Sequence, residues 1–217
     1  MSLKHDTTVI YYTSNREDER FEARIRRSIR HASRGVPIIS VSQKPIDFGT
    51  NICVGEVGVS GLNAWRQFQI GVQAAKTKYV CPAEADTLYP KEYFSFVPPR
   101  DDMYYLAPLY VCFSQRGYGK YFARKSRGSE SAMVVNRELV LSRLEVMYDG
   151  LPTWGPDSDT IWLLGKQPRE FFHMDTPVVS FKTDRNMHRK TPHEIDDRIR
   201  ELPGYGNVRE LIGRYSK

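Results

Sequence analysis

The chain has 217 residues, and its 32 Lys and Arg against 26 Asp and Glu give a net charge of +6. Hydrophobic residues make up 40% and charged residues 27%, a composition that excludes an intrinsically disordered chain. No apolar run approaches the length of a membrane span, so we expect a soluble cytoplasmic protein, or one in the host cytoplasm if it is viral. The excess of cations is a weak indication of an anionic partner.

The three cysteines, Cys53, Cys81 and Cys112, lie far apart in apolar surroundings. Their odd number and the lack of C-x-x-C spacing argue against a disulfide framework and against a zinc site. We expect them to be core residues in a reducing compartment.

The first half of the chain alternates predicted strands and helices. Residues 7–13 are β-branched and aromatic and predict a strand, and we expect Ser14 or Asn15 to cap the amphipathic helix that follows. Residues 36–41 form a continuous apolar run that predicts a second strand. A long loop rich in Gly and Pro then covers residues 42–61, and loops of this length in compact domains are usually functional.

The order continues with a short strand at 52–54, a helix at 63–75 and a strand that begins at Tyr79. Pro82 cannot donate to a sheet ladder, so we expect this strand to end there. Apolar strands that alternate with helices predict an α/β fold, with a mostly parallel central sheet flanked by helices. Ligands bind such folds at the carboxyl ends of the strands.

The second half is less regular. It predicts strands at 104–113, 131–135 and 178–181, and a helix at 137–147. Two amphipathic segments close the chain, and no internal repeat or low-complexity linker divides it. We therefore expect one domain.

Two carboxylates, Glu84 and Asp86, follow the strand that begins at Tyr79. On an extended backbone, residues i and i+2 point the same way, so both side chains can converge on one point. Convergent carboxylates suit a hard divalent cation that also holds phosphate oxygens. The alternative is a solvated acidic turn before a helix.

The segments TVIYYTSNRED, PIISVSQ and GVSGLNAWRQFQIGVQAAKTKYVCPAEAD together resemble the nucleotide-sugar-binding half of GT-A glycosyltransferases, especially the family-2-like group. Glu84-Ala85-Asp86 stands where that family most often has D-x-D. The resemblance implies a Rossmann-like GT-A domain over residues 1–217. Residues 1–90 would form the nucleotide-sugar half, and residues 91–217 the acceptor half with a C-terminal tail.

The resemblance also implies a donor site for a nucleotide sugar, most often a UDP-sugar, with Mn²⁺ or Mg²⁺. Asp86 would bind the metal that bridges the diphosphate, and Glu84 would bind the metal or the ribose. Arg16 could instead be a capping or surface residue, and the polar residues at the start of the second helix could form an ordinary polar face. The implied donor residues are Thr13, Asn15, Arg16, Asn63, Arg66, Gln67, Glu84 and Asp86.

A second motif, WGPDSD, spans residues 154–159. Inverting GT-A enzymes place a catalytic carboxylate in an E-D motif that opens a helix; here Pro156 replaces the glutamate and Asp157 matches the aspartate. A carboxylate that removes the proton of the acceptor hydroxyl acts as a general base. Asp157 is the predicted base and Asp159 the second choice. The alternative is that Asp157 is a helix N-cap.

A third metal ligand in this family is usually a histidine from a segment after the last strand. His188 fits that placement, and His173 is the competing histidine. Arg185, Arg189 and Lys190 could neutralise the leaving diphosphate. The alternative for His188 is a solvated side chain in a basic loop.

The segment 116–127 carries cations and aromatics and no acid. Cations bind phosphate while aromatic faces stack on bases or sugars, so the acceptor could be a hydroxylated base in DNA or a glycan. The alternative is a loop that covers the diphosphate. The predicted acceptor or phosphate residues are Arg116, Lys120, Tyr121, Arg124, Lys125, Arg127, Arg189 and Lys190.

Two other functions stay open. A nucleotidyltransferase shares a related core and an acidic metal site, but it normally has a Gly-rich basic loop after the first strand, and SNRED at residues 14–18 lacks glycine. A non-catalytic nucleic-acid-binding module would use the basic surface without binding a nucleotide sugar.

Overall fold

A computed structural model describes residues 6–113, 121–126, 128–156, 163–185 and 198–215. The N-terminal part contains β1 (Thr7–Thr13), α1 (Glu19–Ser33), β2 (Ile38–Ser42), β3 (Thr50–Cys53), α2 (Gly61–Ala74), β4 (Tyr79–Glu84), β5 (Thr87–Leu88) and α3 (Lys91–Ser95). The remainder contains β6 (Tyr104–Leu106), β7 (Leu109–Phe113), β8 (Phe122–Lys125), a 3₁₀ turn (Glu130–Ala132), β9 (Met133–Asn136), α4 (Arg137–Tyr148), β10 (Arg169–Phe171), β11 (Val178–Lys182), β12 (Glu201–Leu202), β13 (Gly206–Asn207) and α5 (Val208–Tyr215).

A seven-stranded sheet forms the centre, in the order β10-β6-β9-β4-β1-β2-β3. Strands β4, β1, β2 and β3 run parallel, and β9 is antiparallel to both β4 and β6. Helices cover the two faces of this sheet. The predicted α/β class, with a mostly parallel central sheet between helices, is therefore confirmed.

The side chains of β1 show why both faces are covered. Val9 and Tyr11 belong to the core on the α1 side, whereas Ile10 and Tyr12 belong to the core on the α2 side. A strand alternates its side chains between the two faces of the sheet, so the consecutive apolar residues Val9 to Tyr12 require burial on both faces.

The predicted strand 104–113 is wrong as one element. It is two strands, because β6 joins the central sheet while β7 joins a four-stranded sheet in the order β5-β11-β7-β8. The break lies at Ala107–Pro108, where the chain changes sheets. The Ala107 N–H donates to the carbonyl of Ala132, directly before β9 of the central sheet. The Pro108 carbonyl instead accepts from the N–H of Val178, on β11 of the four-stranded sheet.

Two local predictions at strand and helix ends are also wrong. β4 does not end at Pro82 but continues to Glu84, because Pro82 lies beyond the two residues that pair with β9, and its carbonyl accepts from Tyr93 Oη. α1 is capped by Asp18 rather than by Ser14 or Asn15, since the Asp18 carboxylate accepts from the N–H groups of Arg20 and Phe21.

None of the described helices combines the length and apolarity needed to cross a membrane.

Gly71 sets the distance between α2 and β1. A Cβ at Gly71 would overlap the Ile10 Cγ2 methyl and lie 3.3 Å from Val41 Cγ2. We expect Gly71→Ala to lower the free energy of unfolding by about 1–3 kcal/mol, despite the higher helix propensity of alanine, because overpacking forces the helix off the sheet. Urea denaturation measures this change.

Gly213 in α5 is the matched control, because a Cβ there would meet no atom within 4 Å. We expect Gly213→Ala to be neutral or to raise the free energy of unfolding by up to about 1 kcal/mol. Equal stability of the two variants would contradict the close α2–β1 packing.

Candidate active site

A cleft opens where β1 and β4 end, and we call it the β1–β4 cleft. It encloses about 140 Å³ at the carboxyl ends of these two parallel strands. Its polar lining comes from five segments of the chain that are distant in sequence. The polar and charged residues that line it are Tyr12, Thr13, Ser14, Arg16, Glu17, Gln43, Ser60, Gln67, Glu84, Asp86 and Arg185.

Glu84 is fixed by two tyrosines. Tyr12, one strand over, donates its hydroxyl to Glu84 Oε1 at 2.7 Å. The backbone N–H of Glu84 donates to Tyr89 Oη at 3.1 Å, and Tyr89 in turn donates to Ser131 O at 2.8 Å. Both tyrosines are buried, so the Glu84 carboxylate is held in one position at the cleft.

Asp86 reaches the same cleft from a turn rather than from the strand. Ala85 and Asp86 form the turn between β4 and β5, so the expected extended E-x-D geometry does not occur. Thr87 Oγ1 donates to Asp86 Oδ1 at 2.8 Å, and the Phe181 N–H on β11 donates to Asp86 O at 2.8 Å. The two carboxylates nevertheless line the same cleft. Burial is the main cause that raises the pKa of Glu84 to about 7, and the nearby charge of Asp86 is the second cause.

A third carboxylate, Glu17, was missed by the sequence analysis. The hydroxyl of Thr183 lies 2.9 Å from each of its carboxyl oxygens. Burial, with Asp86 as a further contribution, raises the pKa of Glu17 to about 7. In the sequence, Glu17 is one of three consecutive acids at the start of α1, Glu17 to Glu19, which is an ordinary helix-start pattern and gave no signal that one of them faces a cleft.

The acids at the cleft suit a divalent cation only in part. Among the described residues, no three His, Cys, Asp or Glu side chains are grouped to hold a metal ion. Mg²⁺ sites at phosphates, however, commonly use one or two carboxylates and take their other ligands from phosphate and water. Glu84 and Asp86, close enough for the Asp86 charge to contribute to the raised pKa of Glu84, match that donor set. His173 does not line the cleft; it is exposed and lies 3.3 Å from Asp175.

Thr13, Arg16 and Gln67 are the other predicted donor residues that line the cleft. The Gln67 amide donates to Thr13 O and Val41 O, each at 2.9 Å. It thereby ties the ends of β1 and β2 to α2, and its position is a consequence of satisfying two buried carbonyls.

Asn15, Asn63 and Arg66 do not line the cleft. Asn15 has a left-handed backbone, with φ of 55°, and its Oδ1 accepts from Lys44 N at 2.8 Å. The Arg66 guanidinium lies 3.6 Å from the centre of the Tyr148 ring. All three fix segments around the cleft.

The start of α2 also anchors the segment that precedes Asp157. Ser60, a cleft residue, donates its hydroxyl to Gly155 O at 2.7 Å. The Gly155 N–H donates to Asn63 Oδ1 at 2.9 Å. The chain is thus held beside the cleft two residues before Asp157.

The remaining predicted site residues lie away from the β1–β4 cleft or outside the described residues. Arg124 and Lys125 lie on β8 and line a different cavity, together with Tyr110 and His173, whereas Tyr121 lines cavities discussed below. Asp157, Asp159, His188, Arg116, Lys120, Arg127, Arg189 and Lys190 lie outside the described residues.

No protein-family model and no curated protein matches the chain. Solved structures with a similar fold include residues 1–349 of S. aureus TarS, with a TM-score of 0.50 and 11% identity, covering 81% of this chain and 60% of that one. The same region of TarS in complex with UDP-GlcNAc has a TM-score of 0.50 and 10% identity, with coverages of 88% and 61%. The inositol-1-phosphate CTP transferase from T. maritima has a TM-score of 0.50 and 11% identity, with coverages of 97% and 96%.

The chain therefore spans about 60% of the length of the TarS structures. At these identities the likeness shows the fold alone, which is GT-A-like.

Glu84→Gln tests the electrostatics of the cleft without any ligand. The folded-state pKa of Glu84 lies above its ordinary value of 4.5, so the folded protein holds an extra proton and loses stability as pH rises from about 4.5 to 7. Glutamine removes this loss. We expect the variant to be more stable than wild type by about 3 kcal/mol at pH 8, since each unit between a pKa of 4.5 and one of about 7 corresponds to about 1.4 kcal/mol, and equally stable at pH 4.

Urea denaturation across this pH range measures the difference. Glu145→Gln is the control, because Glu145 is an exposed glutamate on α4. Its free energy of unfolding should follow that of wild type at each pH. If the difference in unfolding free energy between Glu84→Gln and wild type stays constant from pH 4 to pH 8, the raised pKa of Glu84 is contradicted.

Proposed function

We propose that the chain is a glycosyltransferase that binds a nucleotide sugar, most readily a UDP-sugar, in the β1–β4 cleft and transfers the sugar to an acceptor hydroxyl. The observation that supports this most directly is the pairing of Glu84 and Asp86 at the carboxyl end of the central parallel strands. Such ends are where open α/β sheets bind their ligands. We further propose one domain over residues 1–217, with residues 1–90 as the donor half.

Asp86 and Glu84 would hold the divalent ion, with His188 as a proposed third ligand. When bound, Mn²⁺ or Mg²⁺ neutralises the diphosphate and stabilises it as a leaving group. Arg16 and Arg185 line the same cleft and add positive charge for the phosphates. Tyr12 keeps the Glu84 carboxylate oriented while the donor binds and leaves.

Asp157 is the proposed general base of an inverting displacement. It would take the proton from the acceptor hydroxyl while that oxygen attacks the anomeric carbon and the nucleoside diphosphate departs. Ser60 lines the cleft and, together with Asn63, holds Gly155. Asp157 follows Gly155 by two residues, which span at most about 7 Å of chain, so this anchoring supports its role as the base.

A nucleotidyltransferase is the second candidate, and the shared fold makes it a serious one. The segment between β1 and α1, residues 14–18, contains no glycine and is closed by the Asp18 cap. A loop that wraps a triphosphate through its backbone N–H groups usually needs glycine. We therefore rank sugar transfer above nucleotidyl transfer.

We expect a UDP-sugar with Mn²⁺ to raise the melting temperature of the wild-type protein and to leave Asp86→Asn unchanged. A ligand present at about 100 times its Kd stabilises the folded state by about 2.7 kcal/mol, and loss of a charged metal ligand removes most of this effect. A thermal-shift screen of nucleotide sugars and nucleoside triphosphates, with and without the metal, measures both.

Asp175→Asn is the matched control, because Asp175 is 93% exposed and does not line the cleft. It should respond like wild type. If Asp86→Asn keeps the full metal-dependent shift, the donor-site proposal is wrong; if CTP or another triphosphate shifts the wild type and no nucleotide sugar does, nucleotidyl transfer replaces sugar transfer.

Asp157→Asn should separate chemistry from binding. We expect it to keep the donor-induced thermal shift and to lower the rate of donor hydrolysis, with water as acceptor, by about 10²–10⁴-fold, the usual contribution of a general base. Asp159→Asn is the control that distinguishes the two candidate bases. Near wild-type hydrolysis in Asp157→Asn would remove this residue from the mechanism.

A further inference from the structure

Two further cavities lie beside the β1–β4 cleft, and shared residues connect all three. Glu17 and Arg185 line both the cleft and a cavity of about 590 Å³, which we call the aromatic pocket. Tyr121 and Gly213 line both the aromatic pocket and an open surface around Arg24, Arg209 and Arg214, which we call the arginine face. The path from the cleft to the arginine face is therefore continuous.

The aromatic pocket offers ring surfaces of the right size. Phe181 lines it, with its ring centre 5.7 Å from that of Phe21 and 5.4 Å from that of Tyr215. Tyr121 and Tyr215 are only half-buried, so part of each ring faces the pocket. Its volume lies within the roughly 300–1,000 Å³ of ordinary ligand sites, enough for a nucleobase or a sugar ring.

The arginine face is held in place by backbone contacts. Arg24 Nη1 donates to Arg214 O at 3.0 Å and to Tyr215 O at 3.2 Å. Arg214 Nη2 donates to Tyr205 O at 3.0 Å. Each guanidinium carries five N–H donors, so these contacts fix the side chains while leaving donors for a ligand.

The charge of this face is positive. Within the residues that the structure describes, Arg24, Arg209 and Arg214 form no ion pair. Arg209 lies over the Tyr121 ring, 5.7 Å from its centre. Glu210 is the one carboxylate among the described residues of the face, so three guanidinium groups stand against one acid.

We propose that the acceptor is a nucleic acid strand, with backbone phosphates on the arginine face and the hydroxylated nucleotide in the aromatic pocket, next to the donor cleft. This proposal rests on the proposed function for the transfer step itself. In that step the nucleotide's hydroxyl oxygen bonds to the anomeric carbon, its proton goes to Asp157, and the bond from that carbon to the diphosphate breaks.

Nucleic acid fits this path better than a phosphorylated glycan. Guanidinium groups bind the phosphates of either, but the partly accessible rings of Tyr121 and Tyr215 match the flat π-face that every base presents. Cations beside stacking aromatics are the usual combination of single-strand binding sites.

The test measures binding of a short labelled oligothymidylate by fluorescence anisotropy over a range of salt concentrations, beside an abasic strand of equal length. We expect Arg209→Ala/Arg214→Ala to weaken both probes and to reduce the slope of log K against log salt by about 1.4, about 0.7 for each lost phosphate contact. The control Arg100→Ala/Arg169→Ala removes the same charge from exposed arginines outside the face and should bind like wild type.

Tyr121→Leu tests the pocket separately. We expect it to weaken oligothymidylate at least about five-fold, the low end of the loss of one stacked base, and to leave the abasic strand unaffected. Tyr215→Leu serves as a second pocket variant. Unchanged circular dichroism and urea curves in each variant establish that the fold is intact.

The proposal is overturned if oligothymidylate does not bind the wild type, if both arginine double variants lose affinity equally, or if a phosphorylated glycan binds where oligothymidylate does not. The donor-induced thermal shift, measured on the same variants, is independent of these results. A normal donor shift without nucleic acid binding refutes the acceptor alone. Nucleic acid binding without any donor shift in wild type refutes the proposed transfer and leaves the binding surface.

Discussion

The candidate site depends on the parallel pairing of β1 with β4. This pairing places the ends of both strands side by side, so that Tyr12 on β1 donates to Glu84 on β4. The hydrogen bond compensates in part for a carboxylate taken out of water, and without it the burial would be still more costly. The cleft therefore exists because the two central strands are in register.

The packing of α2 stabilises the paired strands around the cleft. Gly71 lets α2 approach β1 closely, and Gln67 on the same helix caps the carbonyls of Thr13 and Val41. The same helix start binds Gly155 through Ser60 and Asn63. One helix thus joins the β1–β4 cleft to the segment that leads to the proposed base.

The sequence predicted the regular parts of this structure well, for a physical reason. β1 is buried at every position, with an apolar run from Val9 to Tyr12, and it matches its predicted bounds, because burial on both faces leaves one solution for such a run. The proximity of Glu84 to Asp86 was also predicted, but a turn at Ala85 and Asp86 produces it, not the extended backbone on which the prediction rested. What the sequence could not give were interactions between distant segments, such as the Thr183 hydroxyl that positions Glu17 and the change of sheets at Pro108.

The turn at Asp86 links the two sheets. Glu84 ends a strand of the central sheet, whereas the Asp86 carbonyl is bonded to Phe181 in the four-stranded sheet. The distance between the two carboxylates therefore depends on how the two sheets pack against each other. Substitutions at the sheet crossing near Pro108 can therefore change the distance between the Glu84 and Asp86 carboxylates without replacing either residue.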